Sequence, residues 1–169
     1  MTENSPVVKM FRKQDESAAF QEKSFSVDGP VIIGRAGATA QPTKTNGIFA
    51  SYTMSKAHAQ MFYNHVECKF YLIDSNSTNG TYVRFKSNLS PSNNLRLKKN
   101  PMEISSGDIV QFGVPAISKV TKEFNQPIVA ILELYHPQPR VRKQVKEPSQ
   151  PELDDYGNEL SPSLLKMYK

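Results

Sequence analysis

Three short segments of this 169-residue sequence contain side chains that could bind an anion. The first ends in Arg35, the second contains Ser55 and Lys56, and the third places Thr78 and Asn79 before a glycine. An arginine guanidinium presents a rigid fork of donors that matches a phosphate group, and hydroxyl and turn N–H groups can donate to the other oxygens. These residue types predict a phosphate site if the fold brings the three segments together.

The net charge agrees with an anionic partner. Twenty-one lysines and arginines against 16 aspartates and glutamates give a formal net charge of +5. Nucleic acid is one partner of that kind, but the basic residues are dispersed and form no stripe interleaved with aromatic residues. We therefore expect an acidic ligand and no nucleic acid.

The cellular compartment follows from cysteine use and from the apolar runs. Cys68 is the one cysteine, so the chain cannot form an intramolecular disulfide, which fits a reducing compartment. The N-terminus has no apolar signal region, and the longest apolar run, residues 128–132, is too short to cross a bilayer. We expect a cytoplasmic protein without a membrane segment, with nuclear residence as the alternative.

The segments that must position these side chains have the patterns of β-strands. Runs of alternating or continuous apolar residues separated by turn signals predict strands at 7–11, 23–27, 31–33, 59–63, 69–73, 109–113 and 127–135. In the last run we expect Val129 and Ile131 to face inward, with Leu132 or Leu134. No apolar period of 3.6 residues is sustained before residue 150. The pattern predicts an all-β sandwich or barrel.

The regions between and after these strands differ in composition. Residues 36–54 and 86–101 read as two unusually long loops, and such loops in a small domain are often functional. Loops at one end of a sandwich can bring Arg35, Ser55 and Thr78 together. Residues 1–6 are expected to be a flexible N-terminus, 7–136 the folded domain, and 137–169 a disordered, polar, proline-bearing tail.

The combined motifs resemble the forkhead-associated (FHA) domain family. The pattern consists of Gly-Arg at 34–35, Ser-x-x-His at 55–58, Asp-x-x-Ser-Thr-Asn-Gly-Thr at 74–81 and Gly-Asp-Ile-Val-Gln-Phe-Gly at 107–113. The resemblance implies a sandwich of two mostly antiparallel sheets that binds phosphothreonine peptides without catalysis.

The resemblance also implies a role for each motif residue. Arg35 would clamp the phosphate, Ser55 and Thr78 would donate to it, and Lys56 is a candidate second cation. Asn79 would hold the peptide backbone beside the phosphothreonine. The remaining motif residues are expected to shape the loops, and they are Gly34, His58 and Gly80.

A narrower resemblance is to the sarcolemmal membrane-associated protein family. It is carried by residues 34–42, by Asn46 and Phe49, and by residues 108–114. It implies an adaptor in a striatin-type phosphatase–kinase (STRIPAK) assembly. The implied partner is a threonine-phosphorylated protein, such as a Hippo-type kinase or a STRIPAK component.

Two other functional classes fit parts of the sequence. Ser55, His58 and Asp74 have the residue types of a hydrolase triad, but the serine lacks a Gly-x-Ser-x-Gly elbow. His58, His65 and Cys68 match no zinc-ligand spacing. We therefore predict neither an enzyme nor a metal or cofactor site. The alternative kept open is an FHA-fold scaffold that binds a folded partner independently of phosphate.

Overall fold

A computed structural model describes residues 4–138, and regular structure within this range is almost entirely β. The strands are β1 (Val7–Arg12), β2 (Lys23–Ser26), β3 (Val31–Arg35), β4 (Ile48–Phe49), β5 (Ala59–Asn64), β6 (Lys69–Asp74), β7 (Thr81–Arg84), β8 (Leu95–Arg96), β9 (Met102–Ile104), β10 (Ile109–Phe112), β11 (Ala116–Ile117), β12 (Phe124–Asn125) and β13 (Ile128–Tyr135). A 3-10 turn (Pro91–Asn93) precedes β8. Between residues 4 and 138, no helix is long and apolar enough to span a bilayer.

The strands form two sheets and one separate hairpin. The six-stranded sheet has the order β2-β1-β13-β10-β7-β8, and its pairs are antiparallel. The five-stranded sheet has the order β4-β3-β5-β6-β9 and is antiparallel except where β3 pairs with β4. Strands β11 and β12 pair only with each other. This confirms the predicted all-β sandwich; the predicted tail lies outside the described residues.

The core is built by strands that bury alternate side chains. In β5, Ala59, Met61 and Tyr63 are buried, whereas the residues between them are half-buried on the other face. This period of two is what a pleated strand imposes when one face packs on a core. The same pattern in β1 places Val8 and Met10 in the core cluster. Apolar faces of both sheets therefore meet in one interior.

The predicted inward face of β13 is wrong for Val129 and Ile131 and right for Leu132 and Leu134. The core cluster contains Ile128, Ala130 and Leu132, with Leu134 packed against it, and not the alternating set that begins at Val129. Val129 is nevertheless buried, and its backbone bonds to the segment after β1: its N–H donates to the Ser17 hydroxyl at 2.9 Å and its carbonyl accepts the Lys13 N–H at 2.9 Å. A run that is buried on both faces shows no alternation from which its direction could be predicted.

The two predicted long loops contain short strands. Strand β4 lies within 36–54 and pairs in parallel with β3, with Arg35 opposite Phe49. Strand β8 lies within 86–101 and pairs with β7, with Tyr82 opposite Arg96. Strands of two residues are too short to show a hydrophobic period. Their pairings fix the loop segments on either side of the candidate site.

Candidate functional site

The three segments singled out by their chemistry meet at one place on the surface. They border a depression of about 400 Å³. Its lining residues are Arg35, Tyr52, Met54, Ser55, Lys56, Thr78 and Asn79. The fold thus brings together every residue predicted to contact phosphate or peptide, although these residues come from segments far apart in the sequence.

Arg35 is held at its backbone and half-exposed at its side chain. It ends β3, and its N–H donates to the Ser55 carbonyl at 2.9 Å. None of the ion pairs between residues 4 and 138 involves Arg35 or Lys56. Two cations without a carboxylate partner therefore border the depression, and an anionic ligand would meet an unneutralised positive field there.

Gly34 allows the segment that carries Ser55 and Lys56 to lie directly against β3. The backbone of Lys56 passes so close that a Cβ on residue 34 would overlap its carbonyl oxygen and lie 2.8 Å from its carbonyl carbon. Any larger residue at position 34 would push this segment away from Arg35. The glycine therefore determines the distance between the two segments.

Ser55 and Thr78 contact each other across the depression. The Thr78 N–H donates to the Ser55 Oγ at 3.2 Å, and the two hydroxyl oxygens are 3.5 Å apart. The Ser55 hydroxyl donates to the Thr78 Oγ1 over the longer of these two distances, and a hydrogen bond of 3.5 Å is weak enough to be exchanged for one to a ligand oxygen. Together with Arg35, the pair offers several donors to one anion.

His58 connects the two loops that carry these hydroxyls. Its Nδ1 accepts the Ser55 N–H at 3.0 Å, so its Nε2 carries the proton and donates to the Gly80 carbonyl at 3.0 Å. Burial lowers the pKa of His58, although the Gly80 bond and the charge of Asp74 act in the opposite direction. The neutral, buried imidazole thus joins the second and third segments through one hydrogen bond to each.

The turn that carries Thr78 is organised by Asp74. Its carboxylate accepts the Ser77 hydroxyl at 2.6 Å, the Ser77 N–H at 3.0 Å and the Thr81 hydroxyl at 2.7 Å. Burial alone would raise the pKa of Asp74, but these hydrogen bonds outweigh it and hold that pKa below its ordinary value. Gly80 has a φ of +81°, a conformation that glycine adopts without strain. The Asp74 carboxylate therefore stabilises the turn by accepting hydrogen bonds from Ser77 and Thr81.

Asn79 ties the third segment to the second. The side-chain Nδ2 of Asn79 donates to the Thr53 carbonyl at 2.8 Å, and the backbone carbonyl of Asn79 accepts the Tyr82 hydroxyl at 3.3 Å. These two contacts hold the asparagine side chain at the edge of the depression.

The arrangement does not form a hydrolase triad. Both ring nitrogens of His58 bond to backbone groups, and the Ser55 hydroxyl bonds to Thr78. No histidine can therefore take the serine proton in this geometry. Within residues 4–138, no group of histidine, cysteine, aspartate and glutamate side chains could hold a metal ion.

Sequence reasoning missed two residues that line the depression. Tyr52 and Met54 immediately precede the Ser-x-x-His motif, in the region predicted as a long loop. Met54 is buried and belongs to the core cluster, whereas Tyr52 projects into solvent. A large aromatic residue beside a phosphate motif was the available signal for Tyr52, and nothing in the sequence distinguished Met54 from other loop residues.

The chain is similar in sequence and in fold to several known proteins. Residues 31–113 match the family model of the FHA domain. The sarcolemmal membrane-associated proteins of Mus musculus and Homo sapiens are each 35% identical over 133 residues, which is 76% of this chain and 15% of the relative. The yeast Pml1 splicing factor is a similar solved structure, with 18% identity, a TM-score of 0.48, and coverage of 79% of this chain and 81% of that chain. The resemblances predicted from the sequence are confirmed, and the chain spans about 15% of the length of its curated relatives.

Proposed function

We propose that this chain, whose residues 31–113 match the family model of the FHA domain, is a non-catalytic module that binds phosphothreonine in an extended segment of a partner protein. One observation carries the proposal: Arg35, Ser55 and Thr78 converge on one depression although they come from three separate segments. The cations at this depression have no carboxylate partner among the described residues. The site is therefore built for an anion supplied by another molecule.

The phosphate of phosphothreonine carries between one and two negative charges at neutral pH and has three acceptor oxygens. In the proposed complex Arg35 donates to it in a bidentate manner, and the Ser55 and Thr78 hydroxyls donate to the remaining oxygens. Lys56 adds a second positive charge from an exposed position. Asn79, held by Thr53, hydrogen-bonds the backbone of the partner segment and so orients it.

The identity of the partner is a finer part of the proposal. We propose that the chain acts as an adaptor in a STRIPAK-type assembly and that its ligand is a phosphorylated Hippo-type kinase or another component of that assembly. The support is the 35% identity to sarcolemmal membrane-associated proteins over 133 residues. Mass spectrometry of proteins captured from cell extract by the chain tests it; capture of unrelated phosphoproteins alone would contradict it.

A second candidate function is a scaffold that binds a folded partner independently of phosphate. It is favoured by exposed apolar side chains outside the phosphate site, such as Ile32 on the five-stranded sheet. A pull-down from cell extract, with half of the extract treated with phosphatase, distinguishes the two functions. We expect the captured partner to be lost after phosphatase treatment and with the variant Arg35→Ala. Capture that survives both changes would replace the phosphothreonine proposal with the scaffold.

A further inference from the structure

A depression of about 530 Å³ that shares no lining residue with the candidate phosphate site is bordered by three lysines. They are Lys9 of β1, Lys23 of β2 and Lys44 of the segment before β4. Among the described residues 4–138, no ion pair involves any of the three. One carboxylate, that of Glu22, also borders the depression. The lining therefore has an excess of positive charge.

Lys23 differs from the other two lysines because its side chain is buried. The residue is 4% exposed, and its ammonium donates to the Thr43 carbonyl at 2.7 Å. The ring of Phe49, with its centre 4.7 Å away, compensates in part for the lost hydration. Burial still lowers the pKa of Lys23 from 10.5 to about 8, so the ammonium is charged at neutral pH but poorly solvated. An anion in the depression would stabilise this charge.

The fold brings Lys44 to the same place. Thr43, whose carbonyl accepts the Lys23 ammonium, directly precedes Lys44, and the Lys44 carbonyl accepts the Ser24 N–H at 2.7 Å. Ser24 and Thr45 contribute hydroxyl side chains to the lining. Lysine ammonium groups bind phosphate as point charges, and hydroxyls can donate to its other oxygens. These residue types on two adjoining segments are those of a phosphate site.

The rest of the lining indicates what carries the phosphate. Phe11 supplies an aromatic side chain and Gln21 an amide. Sites for small organic ligands typically enclose about 300–1,000 Å³ and combine apolar walls with a few polar groups. A depression of about 530 Å³ with an aromatic wall fits this description. It therefore favours a phosphate attached to an organic group over free inorganic phosphate.

We propose that this depression is a second anion site, in which Lys23 and Lys44 bind the phosphate of a phosphomonoester and Phe11 contacts the organic group that carries it. The phosphomonoester can be a free nucleotide or a phosphorylated side chain of a protein, because the chemistry that the lysines recognise is the same. The inference does not depend on the proposed function, since the two sites share no lining residue.

The test uses the variant Arg35→Ala as the background, so that the first site does not contribute. NMR titration of the lysine side-chain resonances gives the pKa of Lys23 without ligand and with inorganic phosphate, adenosine monophosphate or a phosphoserine peptide. We expect a bound phosphomonoester to raise the pKa of Lys23 toward its ordinary value, because a nearby negative charge favours the ammonium. Lys86, an exposed lysine outside the lining, is the control and should keep its pKa.

The same titrations give the affinity of each ligand. We expect adenosine monophosphate or the peptide to bind more tightly than inorganic phosphate, and the tighter of the two identifies the source of the phosphomonoester. Lys44→Ala should weaken this binding about fivefold, the loss of one exposed charge contact. Because Lys44 is exposed, this variant should keep the fold.

Three results would overturn the second site. The first is a pKa of Lys23 that none of the three ligands changes. The second is an equal change at Lys23 and Lys86, which would show a general effect of added ions and no binding at the depression. The third is an unchanged affinity in Lys44→Ala.

Discussion

The backbone carbonyl of Lys56 lies directly against the Cα of Gly34, in the space where any other residue would carry its Cβ. The contact is between two backbones, so it cannot be relieved by turning a side chain. It brings the segment that carries Ser55 against the end of β3, where the Arg35 N–H donates to the Ser55 carbonyl.

The variant Gly34→Ala should therefore be destabilised, by about 1–3 kcal/mol, because the backbone must shift to admit a methyl group. Urea unfolding measures this change. Gly37→Ala is the control, since nothing lies within 4 Å of a Cβ at that position. Equal stability of the two variants would contradict the proposed role of the close contact.

His58 should make the folded state less stable at acid pH. The pKa of the folded-state imidazole is lowered, first by burial, so the unfolded chain binds its proton more readily. The stability contributed by neutral His58 should be complete above the unfolded pKa of about 6.5 and decline as the pH falls below it. The measurement is urea unfolding between pH 7 and pH 5. Peptide binding would not isolate the effect of His58, because the phosphate of the peptide itself titrates in this range.

The variant His58→Gln keeps an acceptor and a donor for Ser55 and Gly80 but does not titrate in this range, so it should lack this component of the pH dependence. A variant whose stability falls between pH 7 and pH 5 as steeply as that of the unchanged chain would show that His58 does not titrate as described.

Lys23 should give a pH dependence of the same sign at alkaline pH. Its ammonium donates to the Thr43 carbonyl at 2.7 Å and lies 4.7 Å from the ring centre of Phe49. Burial lowers its pKa from 10.5 to about 8. Between these two values the unfolded chain holds the proton and the folded chain does not, so this residue's contribution to stability rises with pH.

The variant that tests this is Lys23→Met, because it removes the titrating group and keeps an unbranched side chain. We expect the stability of the unchanged chain, relative to this variant, to increase from pH 8 to pH 10 in urea unfolding. A constant difference across that range would mean that the lysine keeps its ordinary pKa in the folded chain.

Ser55 and Thr78 should act as a coupled pair in phosphopeptide binding. Each hydroxyl in contact with an ionised phosphate contributes about 1–3 kcal/mol, so Ser55→Ala and Thr78→Val should each weaken binding by that order. Because the Thr78 N–H bonds to the Ser55 oxygen, the double variant should lose at least about 0.5 kcal/mol less than the sum. Isothermal titration calorimetry with one phosphothreonine peptide measures the cycle, and additive losses would show that the two hydroxyls act separately.

The sequence predicted which segments form the site because each has a local signature. A glycine and an arginine follow an apolar run, and asparagine and glycine form a turn. The bonds that join the segments were not predictable. Those of His58 depend on a carbonyl 22 residues away, whose position is set by sheet pairing and not by neighbouring residues.

The fold was predicted where strands are long and buried on one face, as in β5. It was missed where a strand has two residues, as in β4 and β8, and the buried face was partly wrong in β13, whose first three residues are all buried. A hydrophobic period of two appears in the sequence where a strand is several residues long and packs one face on the core. Strands β4, β8 and β13 do not meet both conditions, so their sequences lack that period.

The central measurement is the affinity of the unchanged chain and of Arg35→Ala for one phosphothreonine peptide, compared with the same peptide carrying unmodified threonine. Removing one member of a close charge pair should weaken phosphopeptide binding by about 30-fold or more. Lys86→Ala, which removes one exposed positive charge outside the site lining, is the control and should bind normally. We expect the unchanged chain to bind the phosphorylated peptide only and Arg35→Ala to lose this binding; equal affinity of Arg35→Ala and the unchanged chain would contradict the proposed function.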